Sequence, residues 1–177
     1  MSVPKTSSYE YYAGKTASDV DYAEFIGQLA LDDVSLQSAS VRRLKGGPDS
    51  GLSDVILTDS VWWKGMNPDC FDSGKYIGDG FEVFHKYVAH ALDKNRRKTA
   101  RIEVEFSLYY LSLIPMDDET FEVFSETTVP LNTWPYLREY LDSTLGRLGL
   151  TGYTLPSRSS SKYEDYEVEN SEPFVDE

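Results

Sequence analysis

The sequence predicts an α+β fold in which a four-stranded antiparallel sheet carries two C-terminal helices packed on one side. Three observations predict it. Between residues 101 and 113, Ile102, Val104, Phe106, Leu108 and Tyr110 alternate with Arg101, Glu103, Glu105, Ser107 and Tyr109, the period-two pattern of a strand with one buried face. Between residues 130 and 155 the period changes. Leu137, Leu141, Leu145 and Leu148 recur at helical spacing with Tyr140 beside them, while Arg138, Glu139 and Asp142 point elsewhere. Strand-like segments also come first and helical segments last, which places the helices together on one side of the sheet.

In chain order, residues 1 to 24 mix Ser, Tyr, Lys and Asp without periodicity and are expected to form a mobile arm. A domain spanning residues 25 to 156 follows, with strands expected near 25–44, 53–63, 81–92 and 101–113. Gly46-Gly47-Pro48 and Gly51 break the chain between the first two strands. A Pro68 to Gly80 loop separates the second from the third, and Asp93 to Lys98 turns the third into the fourth. The third strand is apolar on both faces, with Phe81, Val83, Tyr87 and Ala89 on one and Phe84, Val88 and Leu92 on the other, so both faces need cover. The second carries Trp62 and Trp63 in succession, which must project to opposite faces. The main helix is expected to start at an Asn132 or Thr133 cap with Pro135 in its first turn, and to stop at a left-handed Gly149. Residues 157 to 177, with seven acidic and two basic side chains and a serine run, are expected to be disordered.

Two stretches carry a resemblance. Trp134-Pro135-Tyr136-Leu137-Arg138-Glu139-Tyr140 and Gly146-Arg147-Leu148-Gly149-Leu150, followed by Thr154-Leu155, resemble the last part of the SecB family of export chaperones and their relatives encoded with toxin–antitoxin pairs. Upstream, Asp117-Asp118-Glu119 with Phe121 and Phe124 looks like that family's short first helix. The family usually has proline after the Gly-Arg-x-Gly-Leu run, where this chain has Thr151-Gly152-Tyr153.

The resemblance implies a SecB-like holdase that works without nucleotide, metal or other cofactor. It implies a dimer of dimers binding unfolded polypeptide in apolar grooves beside the second strand. The start WPYLREY and the acidic run before it look closer to the toxin–antitoxin relatives, which makes an antitoxin's C-terminal segment the expected client. The second reading is general holding of presecretory proteins with delivery to SecA. The client-binding candidates are Val55, Leu57, Val61, Trp62, Trp63 and Phe71, and Glu103 with Glu105 form a candidate acidic docking face.

Composition narrows the alternatives. A chain of 177 residues with 40% hydrophobic content can build one core. A formal net charge of -13 argues against nucleic acid as a partner, and the basic run Lys94, Arg96, Arg97 and Lys98 reads as a solvated hairpin turn. The start MSVPKTSSYEYYAGK has no apolar core of signal-peptide length, and no stretch approaches a membrane span, so the expectation is cytoplasmic. The lone Cys70 makes no disulfide or thiolate cluster. Gly14-Lys15-Thr16 lacks the glycine a phosphate loop needs five residues before its Gly-Lys pair, since position 9 is Tyr. His85 and His90 fall on opposite strand faces and cannot share a metal. Glu103 and Glu105 share a face, which acid–base chemistry would require, but nothing in the sequence supplies the pocket that would separate their pKa values. The chain is therefore expected not to be an enzyme.

Overall fold

The computed structural model describes residues 14–44, 51–65 and 79–157. Four long strands form one antiparallel sheet: β1 (Ala30–Arg43), β2 (Leu52–Gly65), β3 (Asp79–Asp93) and β4 (Lys98–Ser112). Their order across the sheet is β1-β4-β3-β2, so β1 and β2 are the edges. A 3₁₀ turn at Ala17–Asp19 and a short helix, α1 (Tyr22–Gln28), precede the sheet, and one helix, α2 (Asp118–Arg147), follows it.

The sheet and its helical layer match the expected class, with two differences. Among the described residues two helices are present, but only one is C-terminal, because the expected C-terminal pair is a single helix of 30 residues. At 1.5 Å per residue it is about 45 Å long, close to the roughly 48 Å of a 14-residue strand, so it can run the length of the sheet. Asp117, not Asn132 or Thr133, caps it: the carboxylate accepts from the Thr120 amide at 2.9 Å. Pro130 and Pro135 lie inside this helix. The second difference is α1, which occupies the first residues of the expected first strand. Asp21 caps it through the Ala23 amide, and Phe25 is buried.

The far end of α2 stops as expected. Gly149 has φ +73°, its amide donates to the Gly146 carbonyl at 3.0 Å, and the Leu150 amide donates to the Leu145 carbonyl at 2.9 Å. Only a residue without Cβ adopts this left-handed conformation at no steric cost. Gly152 also takes positive φ, and the chain then doubles back along the helix. Leu150 and Leu155 enter the core, and the Trp134 indole Nε1 donates to the Pro156 carbonyl at 2.8 Å.

The core lies between α2 and the inner sheet face and has two lobes. In one, Leu137, Leu141 and Leu145 pack on Tyr87, Ala89, Ile102, Val104 and Phe106. In the other, Phe124 and Val129 meet Phe81, Val83, Leu108 and Tyr110, and Phe25 of α1 completes the cluster with its ring edge-on to Phe124. The helix stripe expected from sequence is thus the buried one. Arg138, Glu139 and Asp142 are exposed.

The Asp93–Lys98 turn closes as expected. Asp93 is buried, and its carboxylate accepts from the Asn95 and Arg97 amides and pairs with the Arg97 guanidinium at 3.0 Å. These amide bonds, that of Arg97 first, hold the Asp93 carboxyl below the usual carboxylate range. Arg96 takes the left-handed position. Register is regular along β2 from Asp54 to Gly65, whereas β1 slips twice, between Leu31 and Asp33 and between Leu36 and Ser38.

Candidate functional site

The candidate residues sort by strand parity. Val55, Leu57, Val61 and Trp63 stand opposite Ala91, Ala89, His85 and Val83 of β3 and so face α2, while Trp62 stands opposite Phe84 on the outer face. Trp62 and Trp63 project to opposite sides, as expected. Trp63 is half-buried against Phe81 and Phe121, with ring centroids at 6.2 and 5.7 Å. Trp62 is 41% exposed and lies flat on Phe84 at 5.5 Å, with the Lys64 ammonium 5.0 Å above the same ring. Val55 is buried and Leu57 half-buried in the lobe that includes Leu150 and Leu155, so the returning segment covers this end of β2. Phe71 and Cys70 lie outside the described residues.

Between these apolar positions sits a polar contact that sequence reasoning missed. His85, fully buried, bonds Asp59 Oδ2 through Nε2 at 2.8 Å and Thr133 Oγ1 through Nδ1 at 2.9 Å. Tyr87 OH reaches the same Thr133 oxygen at 2.7 Å. One hydroxyl of α2 is thereby tied to two rings of β3, and through His85 to β2. The signal was present as Asp59 interrupting an otherwise apolar stripe, diagonal to a histidine on the same face of β3. His90 points outward, as its spacing requires. Burial, then the charges of Lys98 and Arg101, hold its pKa below the ordinary histidine value.

Glu103 and Glu105 face outward together. The Lys86 ammonium bonds Glu103 at 3.0 Å and the Arg101 guanidinium bonds it at 2.9 Å. The Lys86 hydrogen bond, helped by Arg101, holds the Glu103 carboxyl below its usual range, the opposite of what a general acid at neutral pH needs. Glu82 on the same face pairs with Lys64 at 2.8 Å and accepts from the Ser107 hydroxyl. Lys64 with Glu82, and Lys86 and Arg101 with Glu103, are therefore paired charges on the outer face.

Among the described residues no group of His, Cys, Asp and Glu could hold a metal ion. No described helix is long and apolar enough to cross a membrane.

Both edges leave apolar side chains in solvent. On the inner face of β1, beside α2, Leu31, Leu36 and Val41 are 41%, 51% and 43% exposed, and Val34 is half-buried. On β2, Ile56 and Trp62 are exposed on the outer face. Sequence reasoning placed exposed aromatic surface on the second strand but did not single out the β1 row.

A four-stranded antiparallel sheet in the order β1-β4-β3-β2, covered on one face by a long helix after the last strand, is the SecB-like chaperone fold. The chain is similar to the Mycobacterium tuberculosis SecB-like chaperone Rv1957, solved in complex with a ChAD peptide from the HigA1 antitoxin. The TM-score is 0.62 at 21% sequence identity, over 77% of this chain and 95% of that one. No protein-family model matches the sequence, and no curated protein matches it.

Proposed function

We propose that this protein is an ATP-independent holdase that binds non-native polypeptide, with an antitoxin's C-terminal segment as its principal client. The observation that carries this reading is the β2 edge. Its ladder to β3 is regular from Asp54 to Gly65, its other side has no strand partner among the described residues, and apolar side chains flank it on both faces. An extended segment can add to such an edge through main-chain hydrogen bonds while its alternate side chains meet apolar surface. Leu57, Val61 and Trp63 with Phe121 would line the inner side, and Trp62 the outer. Val55, covered by the Leu150–Leu155 return, serves packing instead. The likeness to a chaperone solved with an antitoxin peptide supports the same choice of client.

The exposed row Leu31, Leu36 and Val41 is assigned to contact between copies in a dimer of dimers. The second reading, delivery to SecA, requires Glu103 and Glu105 to offer negative charge to a basic partner. Glu103 is already matched by Lys86 and Arg101, which weakens that role. Holding involves no covalent step, consistent with a Glu103 carboxyl that stays ionised.

The test is binding of a fluorescent unfolded peptide, and separately of the C-terminal peptide of an antitoxin, to the intact protein without nucleotide. Saturable binding with suppression of client aggregation is expected. Absence of binding to the intact assembly would overturn the reading. An adjacent toxin–antitoxin gene pair would favour the antitoxin over presecretory clients.

A further inference from the structure

The hairpin end of the sheet concentrates positive charge in a chain whose formal net charge is -13. Arg42 stands directly opposite Arg101, and Arg101 stands opposite His90, which gives an outward row across β1, β4 and β3 with no acidic residue in register. Like charges directly opposite on neighbouring strands oppose pairing, so the row gains nothing for the sheet itself. Arg101 is paired with Glu103, which Lys86 also bonds. Beside the row, the Leu44 amide donates to the Thr99 carbonyl at 2.8 Å, which sets the end of β1 against the hairpin that presents Lys94, Arg96 and Lys98. All three are exposed, as are Arg42 and Arg43, and none of these five makes an ion pair among the described residues. Asp93, the acid at the hairpin, is buried and taken by Arg97. Burial first, and then the charges of Lys98 and Arg101 against that of Glu103, hold the His90 pKa below the ordinary histidine value.

We propose that this end of the sheet is a docking surface for an acidic polypeptide segment, and that its resident occupant is residues 158–177 of the same chain. Charge complementarity and tethering select the occupant. That stretch carries seven acidic against two basic side chains, and its Glu164, Asp165, Glu167 and Glu169 follow a Ser159-Ser160-Ser161 spacer. The preceding residue, Ser157, is fixed on α2, where Arg138 Nη1 bonds its hydroxyl at 3.2 Å. From Arg138 to the last turn of α2 the helix rises about 14 Å. Leu145 of that turn and Leu150 just beyond it share one core cluster with Ala91 and Ala100 of the hairpin end. A tether of twenty residues spans roughly 25 Å, which lets the acids reach the patch at an effective concentration on the order of millimolar. Docked there, the segment screens the basic end and leaves it open only to a partner acidic enough to compete.

The experiment uses a fluorescent synthetic peptide of residues 158–177 and three full-length proteins: native, a variant with Glu164, Asp165, Glu167 and Glu169 changed to their amides, and that variant with Arg42→Glu, Lys94→Glu and Lys98→Glu added. The peptide should bind the amide variant, lose roughly tenfold or more in affinity between about 50 and 300 mM salt, and bind native protein at least about tenfold more weakly because the resident segment competes. It should not bind the charge-reversed protein, whose melting temperature should be unchanged because the three side chains are exposed. No binding to the amide variant at low salt, or equal binding to the charge-reversed protein, would overturn the proposal. So would tighter binding of a single-stranded RNA oligonucleotide than of the peptide, which would assign the surface to nucleic acid.

Discussion

The Thr133 hydroxyl stands 2.9 Å from Nδ1 of His85, and it is the one polar atom of α2 that bonds two rings of β3, since Tyr87 OH lies 2.7 Å from the same oxygen. It also donates within the helix to the Val129 carbonyl at 3.0 Å. Buried polar groups in a low dielectric are costly when a partner is removed, so helix and sheet are held in one relative position by a contact that tolerates little change.

Thr133→Val should therefore destabilise the fold by about 1–3 kcal/mol although it keeps nearly the same volume, because it removes the Thr133 hydrogen bonds to His85 Nδ1 and the Tyr87 hydroxyl. Thr133→Ser should recover most of the loss. Urea unfolding of the two variants compares them directly, and a neutral Thr133→Val would mean that the two rings find other partners.

The two neighbouring indoles should separate holding from packing. Trp63→Ala removes a half-buried ring from Phe81 and Phe121 and should cost roughly 2 kcal/mol of stability, less than the ~3–5 of a fully buried aromatic. Trp62→Ala removes only the stacked contact with Phe84, about 0.5–1.5 kcal/mol, but should weaken binding of an unfolded peptide by about 1 kcal/mol or more with the assembly intact. Melting temperature, mass and peptide affinity measured on each variant decide it. If both keep full affinity, β2 is not the client strand.

Leu141→Asp should unfold or dissociate the protein, since it places an unpaired carboxylate in the lobe around Tyr87 and Ile102 at a cost of several kcal/mol. The adjacent Asp142→Ala, on the exposed side of the same turn, should stay within about 0.5 kcal/mol of native. Circular dichroism melts suffice.

Asp117 supplies a pH-dependent term. Burial raises its pKa, but the amides of Thr120 and Ser18 outweigh burial and bring it down to about 2 from an ordinary value of 3.8. A depressed carboxyl stabilises the fold above the unfolded-state value and loses that contribution as pH falls through the folded one, so the loss lies between roughly pH 4 and 2. Asp117→Asn should flatten the stability curve in that window. Asp117→Ala should cost about 1 kcal/mol at neutral pH through the lost cap, and should loosen the Ala17–Asp19 turn that the Ser18 bond ties down.

In solution the protein should form a tetramer, because β3 carries Phe84 and Val88 on the face away from α2, and β1 leaves Leu31, Leu36 and Val41 in solvent. Light scattering should give about four times the 20.1 kDa of one chain. A stable monomer at micromolar concentration would exclude the assembly.

Much of this architecture was legible because the periods are strong. The alternation through Ile102, Val104 and Phe106 and the stripe Leu137, Leu141 and Leu145 map onto β4 and α2 with the expected faces inward. The start of α2 was not legible, because Pro135 suits a first turn behind an Asn132 or Thr133 cap, and Pro130 also lacks a helical donor. Tertiary burial of Phe124, Val129 and Pro130 carries the helix through both. The Asp117 cap was visible only as part of an acidic run. Helix α1 is short, and its signals, Asp21 with Glu24 three residues on and Phe25 next, were lost in a polar stretch. At the candidate site, parity assigned Trp62 and Trp63 to opposite faces, but the join of His85 to Thr133 spans 48 residues and needs the fold to become visible.

The two slips in β1 have a consequence for aggregation. A straight edge strand is a template that can recruit identical strands without limit, and each extra residue at a slip, Asp32 and Gln37, breaks the ladder and twists the edge away from such a partner. Because β1 slips twice along its length while β2 is regular from Asp54 to Gly65, head-to-tail stacking of sheets into a fibre would have to join a broken ladder to a largely intact one at every step. A sheet with one open, apolar strand edge in β2 is thereby kept from using its other edge to polymerise.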